Sequence, residues 1–242
     1  MRALVTGGTG FVGGALVRAL QARGDSVRVL ARPTSSTAAL EAAGVEIARG
    51  DILDRASIAA ALDGCSALFH AAALYELWGL DAAELLATET EGTRNAMEAA
   101  LAAGTEKVIY TSTAVCIGEA KGQVATTATT HRGYYLSRYE KAKYAAEQIA
   151  LSYVAKGLPL VAVCPAGVYG PGDRKPTGRF IVSLLNGRIP ALFPGWMSLV
   201  YIDDVAYGHL LAADKGQIGE RYILSGTSAQ LNELGALACR LA

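Results

Sequence analysis

A doubly wound parallel α/β sheet is the fold this sequence predicts, and three observations predict it. Short β-branched or apolar runs alternate with longer Ala-rich stretches up to residue 165. A glycine-spaced loop joins the first run to the first Ala-rich stretch. The 242 residues are 52% hydrophobic and 18% charged, enough apolar material for a core on both faces of a sheet.

Taken in order, the strand candidates are residues 3–6, 27–31, 45–48, 67–70, 107–111 and 158–164. Between them, helical patterns at 11–23, 55–63, 82–103 and 139–156 are long enough for crossovers joining parallel strands. This organisation is Rossmann-type, and residues 1–165 are expected to form the dinucleotide-binding domain. From Pro165 the pattern changes: Pro171, Pro176, Pro190 and Pro194, with many glycines, predict loops around short elements. Residues 166–242 are therefore expected to form a small mixed lobe interleaved with the last sheet elements, ending in a helix over 230–242.

Composition excludes several functions. The chain carries 22 Lys+Arg against 22 Asp+Glu, so no basic field exists for nucleic acid or an anionic membrane. Cys65, Cys116, Cys164 and Cys239 lie far apart, with no C-x-x-C and no His pairing, and are expected to be reduced thiols rather than metal ligands. No apolar run approaches the length of a membrane span, and the first residues do not read as a signal peptide, which predicts a cytoplasmic location.

Gly7, Thr9, Gly10, Phe11, Val12 and Gly13 lie between the first strand and first helix, where glycines permit a tight turn and close approach of backbone N–H groups to a pyrophosphate. At the second strand's end an acid would favour a free ribose 2′-hydroxyl; Arg32 stands there instead and points to NADP, with NAD the other option. Asp51 and Ile52 after the third strand suit the adenine, although Asp51 equally suits a turn or cap. Ala71, Ala72 and Ala73 after the fourth leave room for the cofactor beside the backbone.

Tyr139 and Lys143 are four residues apart, on one face of the helix that follows the fifth strand. A free phenol ionises near pH 10, so acid–base work at pH 7 requires about 3 units, or about 4 kcal/mol, of phenolate stabilisation, which a nearby ammonium supplies. Thr111-Ser112-Thr113 closes the fifth strand and delivers hydroxyls to the same crevice. Tyr75, Trp78, Leu184, Trp196 and Met197 are expected in loops bordering the cleft, which would suit an apolar or aromatic substrate.

These residues resemble the extended short-chain dehydrogenase/reductase superfamily. The likeness rests on Thr6-Gly-Gly-Thr-Gly-Phe-Val-Gly13, Gly50-Asp51-Ile-Leu-Asp54, His70-Ala-Ala, Glu91-Gly-Thr-Arg-Asn95, Tyr110-Thr-Ser-Thr-Ala114, the Tyr139/Lys143 pair with Ala146-Glu147, Pro165 with Val168-Tyr-Gly-Pro-Gly172, and Val200 with Asp204-Val-Ala. Within it the chain looks most like the dihydroflavonol reductase-like and hopanoid-associated sugar epimerase-like group, through Leu30-Ala-Arg-Pro-Thr-Ser35, Lys175-Pro-Thr-Gly-Arg179 and Gly219-Glu-Arg-Tyr-Ile-Leu224.

The resemblance implies that Tyr139 is the acid/base, that Lys143 lowers its pKa and binds the nicotinamide ribose, and that Thr113 orients the reacting oxygen. It places Pro165 and Val168 beside the nicotinamide amide and Arg32 at the 2′-phosphate, and it implies a homodimer formed through helices 82–103 and 139–156. Three departures stand out: Glu89 occupies a position where members commonly carry Asn, Gly167 replaces the Asn with which sugar-nucleotide epimerases hold the diphosphate, and members usually run longer, so that the resemblance implies a shortened substrate lobe for the residues given.

The leading expectation is an NADP-dependent oxidoreductase acting between nicotinamide and a ketone, aldehyde or secondary alcohol. An NAD(P)-dependent sugar epimerase/dehydratase and a non-catalytic dinucleotide-sensing protein are the alternatives.

Overall fold

The computed structural model describes residues 1–74 and 81–241. The expected positions Tyr75 and Trp78 lie outside the described residues.

The first crossover units follow the sequence pattern closely: β1 (Arg2–Thr6), α1 (Phe11–Ala22), β2 (Ser26–Ala31), β3 (Glu46–Arg49), α3 (Arg55–Leu62), β4 (Ala67–His70), α4 (Ala82–Ala102) and β5 (Lys107–Thr111). A short α2 (Ala38–Ala42), too brief to show periodicity, precedes β3. After β5 come α5 (Arg138–Ser152) and β6 (Leu160–Pro165). The expected helix to residue 156 instead tightens into a 3₁₀ turn at Val154–Lys156, before Gly157 at φ +92°. The expected strand start at 158 moves to Leu160, because Pro159 has no N–H to join a ladder.

Among the described residues the main sheet has seven parallel strands in the order β3-β2-β1-β4-β5-β6-β9, the last being Arg221–Leu224. Strand side chains alternate between faces. Leu4, Leu68, Val108, Tyr110 and Leu160 pack against α3, α4 and α5 through residues such as Ile58, Met97 and Ala146. Val5, Phe69, Ile109 and Val163 pack on the other side against Leu16 and Leu20 of α1 and Leu210 of α7 (Ile202–Lys215). Fully burying one such Leu or Phe contributes about 1.5–3 kcal/mol, so both faces stabilise the sheet.

The region after Pro165 is more ordered than its proline and glycine content predicts. It contains α6 (Pro176–Leu185), α8 (Leu231–Leu241) and a second sheet in which β8 (Trp196–Tyr201) lies between β7 (Gly167–Tyr169) and β10 (Thr227–Gln230). Leu184 thus sits in α6, and Trp196 and Met197 in β8, rather than in loops. Within this region α7 returns to pack on α1 and β9 joins the main sheet.

Among the described residues no helix is long and apolar enough to cross a membrane, and no group of three His, Cys, Asp or Glu could hold a metal ion. All four cysteines are free thiols.

Candidate active site

The glycine loop turns between β1 and α1 with Gly10 donating its N–H to the Gly7 carbonyl at 2.9 Å. Gly7 adopts φ +75°, and a Cβ there would lie 2.6 Å from the Ala71 carbonyl oxygen, so glycine is required on both counts. This close approach seats Ala71 and Ala72 against the loop, and the Ala72 N–H donates to Thr6 Oγ1 at 3.2 Å. Whereas Asp54, Asp81 and Ser137 cap α3, α4 and α5 with side-chain oxygens, Gly10 caps α1 with none and is itself exposed, as is Thr9. No side chain therefore caps the first turn of α1, and such a helix N-terminus suits an anion. Phe11 and Val12 pack with Val168 of β7 and Ile202 of α7, and Gly13 is buried under the loop.

Arg32 is exposed immediately after β2. The neighbouring Arg49 shapes that loop by donating to the Arg32 and Ser35 carbonyls and, at 2.6 Å, to Thr37 Oγ1. Asp51 accepts the Leu53 N–H at 2.9 Å, the turn role its neighbours suggested. Ile52 is gripped by α4: its carbonyl accepts from Asn95 Nδ2 at 3.0 Å, and a Cβ on Gly92 would lie 2.6 Å from its Cδ1. The Glu91–Asn95 motif therefore holds the loop after β3 in place.

At the end of β5 three successive hydroxyls separate by role. Thr111 Oγ1 lies 2.9 Å from His209 Nε2, and His209 Nδ1 lies 2.7 Å from the Val205 carbonyl. A carbonyl only accepts, so Nδ1 carries the hydrogen and Thr111 donates to Nε2. Burial holds the His209 imidazole down at about 4, hence neutral. Ser112 donates to Glu147 Oε2 at 2.5 Å, and Glu147 is paired through Oε1 with Arg221 at 3.2 Å. Thr113 is half-buried and makes only a long contact, 3.5 Å to the Pro165 carbonyl, which leaves its hydroxyl the least committed of the three.

Tyr139, Lys143 and Glu147 follow one another at four-residue spacing along α5. Tyr139 is half-buried, whereas Lys143 is sealed between α4 and α5. Its ammonium donates to the Thr111 carbonyl at 3.1 Å, lies 3.3 Å from Glu89 Oε2 and sits 5.3 Å from the Tyr110 ring centroid. Burial works against that charge, but Tyr110, Glu89 and Tyr139 outweigh it, and the Lys143 pKa ends well above the usual lysine value. Tyr110 is itself pushed up to about 12 by burial and stays neutral, so Glu89 supplies the negative charge. His70, in β4, bonds Thr6 Oγ1 through Nδ1 at 2.9 Å and is held near 3 by burial and then by Lys143.

Two features went unassigned in the sequence. Glu89 stood out only as a departure from a motif, although its spacing with Leu85, Thr93 and Ala96 marks the inward face of α4. Glu140 is buried beside Tyr139, where it accepts the Leu136 N–H at 2.6 Å and pairs with Arg132, clamping the chain before α5; only its three-residue offset from the Ser137 cap was legible.

A parallel sheet with its glycine loop, strand-end hydroxyls and Tyr–Lys pair on the next helix defines a dinucleotide-dependent oxidoreductase of the short-chain dehydrogenase/reductase type. The NAD dependent epimerase/dehydratase family model matches residues 3–225, and the chain belongs to that family within the extended short-chain dehydrogenase/reductase superfamily. It is 38% identical over 240 residues to sterol demethylase protein B of Methylococcus capsulatus, covering 97% of this chain and 72% of that protein. It is also 38% identical over 236 residues to a putative dihydroflavonol 4-reductase of Synechocystis, covering 94% and 68%. The structure of UDP-glucose 4-epimerase from Thermus thermophilus in complex with NAD superposes with a TM-score of 0.84 at 28% identity, covering 99% of this chain and 83% of that one. NAD(P) is the cofactor class of the family.

Proposed function

We propose that this protein is an NADP-dependent reductase of a ketone or aldehyde, working in reverse on a secondary alcohol, with Tyr139 as acid/base. The observation that carries the reading is the sealed Lys143 ammonium, fixed on the Thr111 carbonyl beside Tyr139 at the strand end where the Thr113 hydroxyl makes only a long contact.

The open turn Gly7–Gly13 would hold the pyrophosphate, Arg32 the 2′-phosphate, Ala71–Ala73 and Ile52 the adenosine side, and Pro165 and Val168 the nicotinamide edge. When bound, the nicotinamide supplies or accepts the hydride. Thr113 donates a hydrogen bond to the substrate oxygen and orients it. Tyr139 gives that oxygen a proton in reduction and takes one in oxidation. Lys143 stabilises the phenolate left behind, and its fixed position avoids reorganisation during the step.

A carbonyl on an apolar skeleton suits the site. Tyr134, Tyr135 and Leu136 are exposed just before α5, and the names of two relatives refer to a sterol and to a dihydroflavonol. Gly167 argues against a sugar nucleotide, since it offers no side chain to hold a diphosphate at a position where a Cβ would meet the Ser198 carbonyl at a tight 3.0 Å.

Tyr139→Phe should lower kcat by about 10²–10⁴-fold with cofactor affinity unchanged, measured by NADPH consumption over a panel of apolar ketones. Full turnover in the variant would remove the assignment. NADP released in proportion to alcohol formed separates a reductase from an epimerase, which recycles its cofactor.

A further inference from the structure

Glu89 is a buried charge that the proposed reaction leaves without a role. Its Oε1 accepts the Leu74 N–H at 2.6 Å, tying α4 to the segment after β4, and its Oε2 faces Lys143 at 3.3 Å. The side chains of Lys143 and Glu89 are 3% and 2% exposed. An uncharged amide would satisfy the Leu74 N–H equally well, so that bond does not explain a carboxylate here; the ammonium does.

Among the described residues, the titratable groups facing Lys143 other than Glu89 and Tyr139 contribute no net charge. His70 on β4 is held near 3, and Tyr110 on β5 and Cys116 after β5 are each pushed up to about 12, all three principally by burial, so all are neutral at pH 7. Glu147, further along α5, is balanced by Arg221. A lone ammonium beside Tyr139 would act on the phenol as a full positive charge. Ammonium and carboxylate together act as a dipole, whose field falls off faster with distance.

We propose that Glu89 is a positioning residue for the Tyr139–Lys143 pair: its carboxylate anchors the ammonium and counterbalances its charge, so that the phenol keeps its proton to higher pH. This rests on the reading of Tyr139 given above.

The test is a titration of Tyr139 in protein labelled with ¹³C at the tyrosine Cζ, the resonance being assigned by its absence from Tyr139→Phe. Glu89→Gln should lower the midpoint by about one pH unit, and the alkaline limb of kcat/KM for ketone reduction should move with it. Glu89→Asp, which keeps the charge, should stay near wild type. A Glu89→Gln protein with native circular dichroism and an unmoved midpoint overturns the proposal. So does a Glu89→Asp midpoint that falls as far as that of Glu89→Gln, since the carboxylate charge would then be immaterial. Because the resonance is read without turnover, a fully active Tyr139→Phe enzyme would sink the proposed function and still leave this comparison decided.

Discussion

At the end of β5 an ammonium is sealed between two helices, whereas at the end of β2 a guanidinium stands in solvent. Both belong to the groove proposed for one dinucleotide, yet different physics governs them. Lys143 has a carbonyl and a carboxylate as fixed partners, and in a dry setting the loss of any partner strands a charge. Arg32 leads an exposed loop whose shape is maintained by Arg49, so its own side chain is free to be exchanged without disturbing the fold. The contrast teaches that substitutions at the buried end register in stability and rate together, while those at the exposed end register in ligand preference alone.

The largest expected effect tests the buried end. Lys143→Met leaves Glu89 uncompensated and should cost about 3–5 kcal/mol of folding stability in chemical denaturation, together with the activity. Adding Glu89→Met should restore most of that stability, since a buried pair replaced by apolar groups of similar volume is often neutral. Were Lys143→Met as stable as wild type, the contrast between the two ends would collapse.

Acid offers the second test. The imidazoles of His70 and His209 are held near 3 and near 4 by burial, so the folded state excludes protons that the unfolded chain binds below about pH 6.5. Stability is therefore complete above about pH 6.5 and falls as pH drops toward 4, by up to about 3 kcal/mol for His209 alone. Denaturant midpoints measured across this range should show the slope, and His209→Asn should flatten it. An acid-insensitive wild type would mean that these histidines are charged within the fold.

The smallest effect belongs to the exposed end. Arg32→Asp should shift preference from NADP toward NAD by about 10- to 100-fold in the ratio of Kd values while leaving the unfolding midpoint unchanged. Strong NAD preference in the wild type with no response to the substitution would remove the assignment of the 2′-phosphate to this position.

The crossover units were legible because strand alternation and glycine punctuation are local signals. Residues 67–70 and 107–111 coincide with the strands found, and the glycine loop lies where its spacing placed it. The second sheet was not legible, since β7, β8 and β10 are three to six residues long and their pairing joins segments about 30 positions apart. Helix α7 was missed in a stretch whose prolines and glycines suggested loops, although it packs with α1 over one sheet face. Tyr139 and Lys143 could be paired on spacing alone because both ride one helix. Glu89 is 54 positions from Lys143 and comes to it only when α4 packs on α5.

The amino-acid sequence by itself determined the alternation of strand and helix, the turn that only glycine allows at Gly7, and the four-residue offset that puts a phenol and an amine on one helical face, because each depends on neighbours within a turn or two of chain. Only the tertiary structure decided which of three adjacent hydroxyls is least committed and which carboxylate meets the buried ammonium. Those choices are made by desolvation, and a group loses its water only when distant elements close over it.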